Sequence, residues 1–202
     1  MKSILISIKP KYVADILNER KTSEVRKTEP NVELPIDVYI YCTKEEYLYR
    51  TNKGYIASKK PLEVGKGTEY SFAYSDEGMV VAKFTLNKVE EIKNNLAMRF
   101  FTESADEKEL LDKSCLNSDQ LFWYLAPQEL KVKCCGYAWH ISNLVIFDKP
   151  KELSEFNSFQ RAKAKDCGFL KQCKNCGRRF NRCHLLKPLT KAPQSFMYVE
   201  VK

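Results

Sequence analysis

The apolar residues of this chain come in runs of strand length, set apart by charged and turn-forming stretches, and that spacing constrains the fold more than any single motif. SILISI (3–8) has the unbroken apolar character of a short buried strand. IDVYIYCT (36–43) is rich in β-branched and aromatic residues, which fit a pleated, half-buried surface. GMVVAKFTLNKVEEI (78–92) is the longest strand signal, CGYAWHISNLVIF (135–147) is a second long one, and PQSFMYVEV (193–201) is a strand near the end. Helical signals are fewer. Pro10 suits the first turn of a helix, where the amide it lacks would have no partner anyway. KYVADILNER (11–20) then puts Val13, Ile16 and Leu17 on one face. NSDQLFWYLA (117–126) opens on cap-type residues and carries Leu121, Phe122 and Leu125, so a short helix is expected. KTSEVRK (21–27) alternates and reads as extended; residues 44–76, with Gly54, Gly65 and Gly67, read as strand fragments and loops. Residues 93–116 read as partly helical and 148–156 as a turn. Several separated strands with few helices predict an α+β, barrel-like domain.

At 202 residues the chain fits a single domain, 1–202, and 44% hydrophobic content suits a packed core rather than disorder. No apolar run approaches the roughly 20 residues that span a bilayer. The stretch MKSILISIKPKY offers too short an apolar segment for a signal-peptide core, so a cytoplasmic protein is expected. The net charge of +8 is concentrated. Residues 161–191 hold ten basic side chains against one acid, Asp166, which leaves the rest of the chain close to neutral. A positive segment of this size points to a polyanionic partner.

That basic segment is also where the cysteines gather. Cys167, Cys173, Cys176 and Cys183 fall within seventeen residues, whereas Cys42, Cys115, Cys134 and Cys135 are scattered. Cys173-x-x-Cys176-Gly177 is a metal-knuckle spacing: two thiolates can grip one ion while the glycine lets the chain turn around it. Cys183 and Cys167 are available to complete the set, and His184 can replace either. Zinc is the expected ion for a sulfur-rich tetrahedral site. The segment is too basic and too poor in apolar side chains to fold alone, and a metal would supply the missing folding free energy. It would also set Arg178, Arg179 and Arg182 on a rigid knob.

Three stretches together resemble the ASCH family of the PUA-like superfamily. SIKPKYVADILNERKTSEVRK carries the family's Gly-x-Lys-x-x-Glu-x-Arg pattern after the first helix: Lys21, Glu24 and Arg26 match, and Glu19 stands at the glycine position. VVAKFTLNKVEEI resembles a barrel strand of the family, and GYAWHISNLVIFDKPKELSEF with LTKAPQSFMYVE resembles the end of its domain. The resemblance implies a PUA-like β-barrel with flanking helices, a cleft beside the first helix, and 161–191 as a Cys-rich, metal-stabilised insertion before the last strand. It implies binding of RNA or nucleotides at Lys21, Glu24 and Arg26. Some members resemble acetylcytidine amidohydrolases, which use a lysine, a threonine and a downstream glutamate. Lys21 matches the lysine, but Glu24 stands where the threonine would be, and Thr22 and Ser23 are out of register.

The residues allow the same chemistry. On a strand Glu24 and Arg26 share one face, with Lys21 on the other. Arg26 offers a fork for phosphate or a base edge, and Lys21 a phosphate contact or a base. Trp123, Tyr124 and Trp139 are expected in the core rather than as stacking platforms, and His140 as a hydrogen-bonded strand residue. The expectation is a nucleic-acid-binding module, for RNA in the first place, using the cleft together with Arg178, Arg179 and Arg182. A hydrolase of modified nucleosides or RNA, with Lys21 and Glu24 at its centre, and a regulatory protein-interaction domain are the alternatives. No membrane contact and no obligate protein partner is expected.

Overall fold

The computed structural model describes residues 2–94, 99–125, 136–161 and 184–202. The chain begins with β1 (Lys2–Ile8) and α1 (Pro10–Leu17), followed by β2 (Ser23–Arg26) and β3 (Ile36–Cys42). Three short strands come next: β4 (Tyr47–Thr51), β5 (Gly54–Ser58) and β6 (Ala73–Ser75). The long β7 (Val80–Asn94) leads to β8 (Phe100–Phe101), α2 (Glu107–Ser114) and α3 (Ser118–Leu125). Then come β9 (Gly136–Lys151), a 3-10 turn (Leu153–Glu155), β10 (Phe156–Arg161), β11 (His184–Pro188) and β12 (Phe196–Val201).

Nine of these strands form one sheet. Eight run in the order β11-β10-β12-β1-β3-β7-β9-β2, with β8 paired to β7, while β5-β4-β6 form a small second sheet. β1 lies near the middle, parallel to β3 and antiparallel to β12. It is buried on both faces: Ile4, Ile6 and Ile8 enter the largest core cluster, and Leu5 enters another with Tyr39, Phe156 and Val199. That two-sided burial is why its sequence is an unbroken apolar run rather than an alternation. The apolar face of α1, with Val13, Ile16 and Leu17, packs on the first cluster. α2 and α3 close a third cluster around Ile92, Phe100, Leu110, Leu121 and Leu125.

Among the described residues the β-barrel expected from the strand pattern and the family resemblance does not close. Among the described residues the sheet path is open, with β11 at one end and β2 at the other. It is nevertheless curled. β2 stands four strands from β1, about 19 Å away if the sheet were flat at about 4.8 Å per strand. Yet the Arg26 Nη2 on β2 donates to the Ser7 carbonyl of β1 at 2.7 Å. The bend has a visible source in the β7–β9 pair, whose register shifts three times; such irregularities kink and twist a ladder. The seam left between β2 and β1 is bridged by side chains instead of a backbone ladder.

β10 and β11 are antiparallel, with Arg161 opposite His184. The basic stretch 161–191 therefore contributes a strand to the sheet, and Leu189 just beyond it is buried. Residues 162–183 lie outside the described residues, and with them Cys167, Cys173, Cys176, Cys183, Arg178, Arg179 and Arg182. No helix among the described residues is long and apolar enough to cross a membrane.

Candidate functional site

The seam opens into a cavity of about 470 Å³. One wall is the end of β1 with the loop before β12 (Ser7, Ile8, Gln194, Ser195); another is α1 through Tyr12. α3 and the residues before it supply Leu116, Gln120 and Tyr124, β2 supplies Glu24, Val25 and Arg26, and Thr43 and Glu45 follow β3. Cavities of this size, apolar-walled with a few convergent polar groups, are the usual form of small-ligand sites.

Lys21, Glu24 and Arg26 meet at its floor. All three are buried, at 2%, 7% and 7% exposure. One carboxylate serves two cations: Glu24 Oε2 lies 3.3 Å from Lys21 Nζ, and Oε1 lies 3.0 Å from Arg26 Nη2. Lys21 Nζ also donates to the Ser114 carbonyl at 2.6 Å and lies 5.4 Å from the centre of the Tyr12 ring. Arg26 reaches Ser7 O and, at 3.4 Å, Ser195 Oγ, while its buried Nε has no hydrogen-bond partner among the described residues. The floor carries a net single positive charge in a desolvated setting, suited to an anionic or strongly hydrogen-bonding ligand.

Strand alternation alone would have sent Lys21 to the face opposite Glu24. The structure brings them together because Lys21 precedes β2, in the turn that ends α1. Glu19 there has φ +60°, the left-handed conformation that glycine adopts without steric cost. The Glu19 amide bonds to Ile16 O and the Arg20 amide to Asp15 O, the paired bonds of a Schellman cap. The Lys21 amide also bonds to Asp15 O, at 3.0 Å, which fixes the direction in which its side chain leaves. The cap also shortens the helix, which ends at Leu17 rather than near residue 20.

The aromatic expectations divide. Trp139 is fully buried. Trp123 is not in the core: it is 76% exposed on α3. Tyr124 borders the cavity, with Lys27 Nζ 5.4 Å from its ring centre. Burial raises the phenol pKa of Tyr12 and Tyr124 above the ordinary value, so both remain hydroxyl donors at neutral pH. His140 is a hydrogen-bonded strand residue, with Nε2 2.5 Å from Glu90 Oε2. Among the described residues no three His, Cys, Asp or Glu side chains gather as a metal site. His184 begins β11, and the four cysteines of the expected zinc site lie outside the described residues. Ser7, Tyr12, Thr43, Gln194 and Ser195 were not singled out from the sequence; they come from four separate segments and share no spacing that would have linked them.

Fold and cleft together define a sheet-dominated α+β module, with three α-helices among the described residues and a buried cation–carboxylate–cation floor. No family model matches the chain, and none of the curated proteins does. Among solved structures it is similar to one described as ASCH from Zymomonas mobilis, with 14% identity over 75% of this chain and 73% of that chain, and a TM-score of 0.47.

Proposed function

We propose that the protein is a nucleic-acid-binding module of the ASCH type whose ligand is RNA. The cleft takes a base or nucleotide, and the basic stretch 161–191 holds the backbone. The observation that carries this reading is the buried Lys21–Glu24–Arg26 floor beneath walls that include Tyr12 and Tyr124. A floor of fixed donors under aromatic walls matches how unstacked bases are held, by hydrogen bonds to their edges and contact with their faces. The decisive experiment incubates the purified protein with RNA and scores both retention and cleavage, at several salt concentrations. Retention that falls steeply with salt supports the reading, because each phosphate contact adds to the slope. Absence of retention at low salt ends it.

In this proposal a zinc ion held by Cys173, Cys176, Cys183 and either Cys167 or His184 orders the basic segment. The support is the Cys-x-x-Cys-Gly spacing among crowded cysteines. Elemental analysis showing about one equivalent of zinc, lost in a Cys176→Ser variant, is the expected result.

A second reading is hydrolysis of a modified nucleoside, or of RNA, around Lys21. It is favoured by one observation: the buried Thr43 hydroxyl, without a hydrogen-bond partner among the described residues, borders the same cavity as Lys21. Turnover of acetylated cytidine, or cleavage in the RNA incubation, separates this from binding alone.

A further inference from the structure

The cleft does not end at its rim. Thr43 borders it and also borders a second, open cavity of about 540 Å³. Around that second cavity stand Tyr41, Lys44, Gly78, Thr190 and Lys191. Thr43 is fixed where the two meet, because its amide continues the β1–β3 ladder by donating to Ile8 O at 3.0 Å. Its hydroxyl is buried and unpartnered among the described residues. A hydrogen bond from a ligand would relieve that cost.

Two cations face the second cavity. Lys44 and Lys191 are exposed, and neither is ion-paired among the described residues. Lys44 is also positioned. Its stem lies across Gly78, where an added Cβ would fall 2.3 Å from the Lys44 Cε, and Gly78 has φ +81°. The turn there is tied down by Gly78 N to Cys42 O at 2.8 Å and Cys42 N to Met79 O at 2.9 Å. The carboxylate of this cavity, Glu152, is committed to its own 3-10 turn, where it accepts from the Glu155 amide and from Ser154 Oγ. The second cavity therefore presents hydroxyls and free ammonium groups to a ligand leaving the first.

We propose that the two cavities are consecutive subsites of one groove for single-stranded RNA, so that the ligand is an oligonucleotide rather than a free nucleoside or mononucleotide. The first cavity holds one nucleotide. Thr43 and Lys44 hold the phosphodiester that leads out of it, and Lys191 contacts the next phosphate. This rests on the reading of the cleft as a nucleotide site.

The test measures binding of each ribonucleoside 5′-monophosphate and of the matching RNA tetranucleotides, to the wild-type chain and to K44A/K191A. Both lysines are exposed, and a melting curve checks that the variant is folded. The expected result is tetranucleotide affinity at least about tenfold above that of the monophosphate, and loss of that gain in K44A/K191A, whose monophosphate affinity falls by no more than the single contact to Lys44. The log–log salt slope for the tetranucleotide should become shallower by about one and a half units. Monophosphate binding with no gain on lengthening overturns the groove but leaves the cleft as a nucleotide site. A length-dependent gain that survives in K44A/K191A also overturns it. Binding of neither ligand sinks both readings. A tetra-glutamate peptide that binds as tightly as the RNA, through the same two lysines, overturns it as well, since the groove would then select charge alone.

Discussion

Glu24 is the residue on which the cleft turns. Two buried cations share its single carboxylate, one oxygen each. Removing one member of a buried ionic set costs far more than the set contributes, because the remaining charges stay desolvated and unpaired. Glu24→Gln keeps the shape and removes the charge, and should lower unfolding stability by about 3 kcal/mol in denaturant titration. Adding Lys21→Met removes one of the stranded cations, so the double variant should lose less than the sum of the single losses. Strict additivity would show that the three side chains do not act as a unit. Arg26→Lys tests geometry rather than charge. A lysine lacks the planar fork that reaches Glu24, Ser7 O and Ser195 at once, so ligand affinity should drop although the charge is kept. The sequence pointed to these three residues through their resemblance to a family pattern, but alternation assigned Lys21 to the wrong side. Its position is decided by a helix cap, and a left-handed glutamate leaves no mark in hydrophobic periodicity.

That cap is the first prediction at the level of elements. Glu19→Gly removes the left-handed penalty of a side-chain-bearing residue, partly offset by the greater freedom glycine gives the unfolded chain. Melting should show a gain of up to about 1 kcal/mol; a loss would mean that the glutamate side chain supports the turn in a way its backbone does not reveal. The second concerns β7, β9 and the loop after β8, which are pinned together by Glu90. Its carboxylate takes Ser104 Oγ at 2.7 Å, the Ser104 amide at 3.1 Å, His140 Nε2 at 2.5 Å and Lys88 Nζ at 3.3 Å. Burial alone would raise its pKa, but the hydrogen bonds from Ser104, His140 and Lys88 outweigh that and hold it below the ordinary value of 4.5. A carboxyl with a lowered folded pKa contributes stability that is complete above the ordinary value and disappears as pH falls through the folded one. Glu90→Gln should therefore be less stable than wild type at neutral pH, and the gap should close in acid, below about pH 4.5. A gap that is constant with pH would remove Glu90 from the acid response. Strands with strong β-branched or apolar runs (β1, β3, β7, β9 and β12) were legible in the sequence, because burial dictates their composition. β10 and β11 were not: FNSFQR and HLLKP are polar or short, and their pairing depends on segments that meet only in three dimensions. Trp123 misled for a related reason, since a helix as short as α3 has room to bury only one face, and Leu121 and Leu125 occupy it.

For the molecule as a whole, the curl of the sheet and the placement of the basic segment matter together. Among the described residues the sheet stops short of closing and leaves a seam, and the seam holds the cleft; the sequence carried the strands but not the gap between the first and last of the curl. If the basic segment holds the backbone of a single-stranded ligand, replacing Arg178, Arg179 and Arg182 with alanine should flatten the log–log salt slope by about two units. An unmoved slope would place the backbone elsewhere. The register of β10 against β11 has a further consequence, for modularity. Arg161 and His184 are cross-strand neighbours, so the 22 intervening positions begin and end at one point of the scaffold. Two residues, such as Asn-Gly, suffice to join antiparallel strands at that spacing. The stretch is in that sense a cassette: excised down to such a turn, the chain should melt cooperatively near the parent temperature while losing any bound metal and most of its salt dependence. Other cassettes, introduced at the same pair of residues, would give one scaffold several different electrostatic faces.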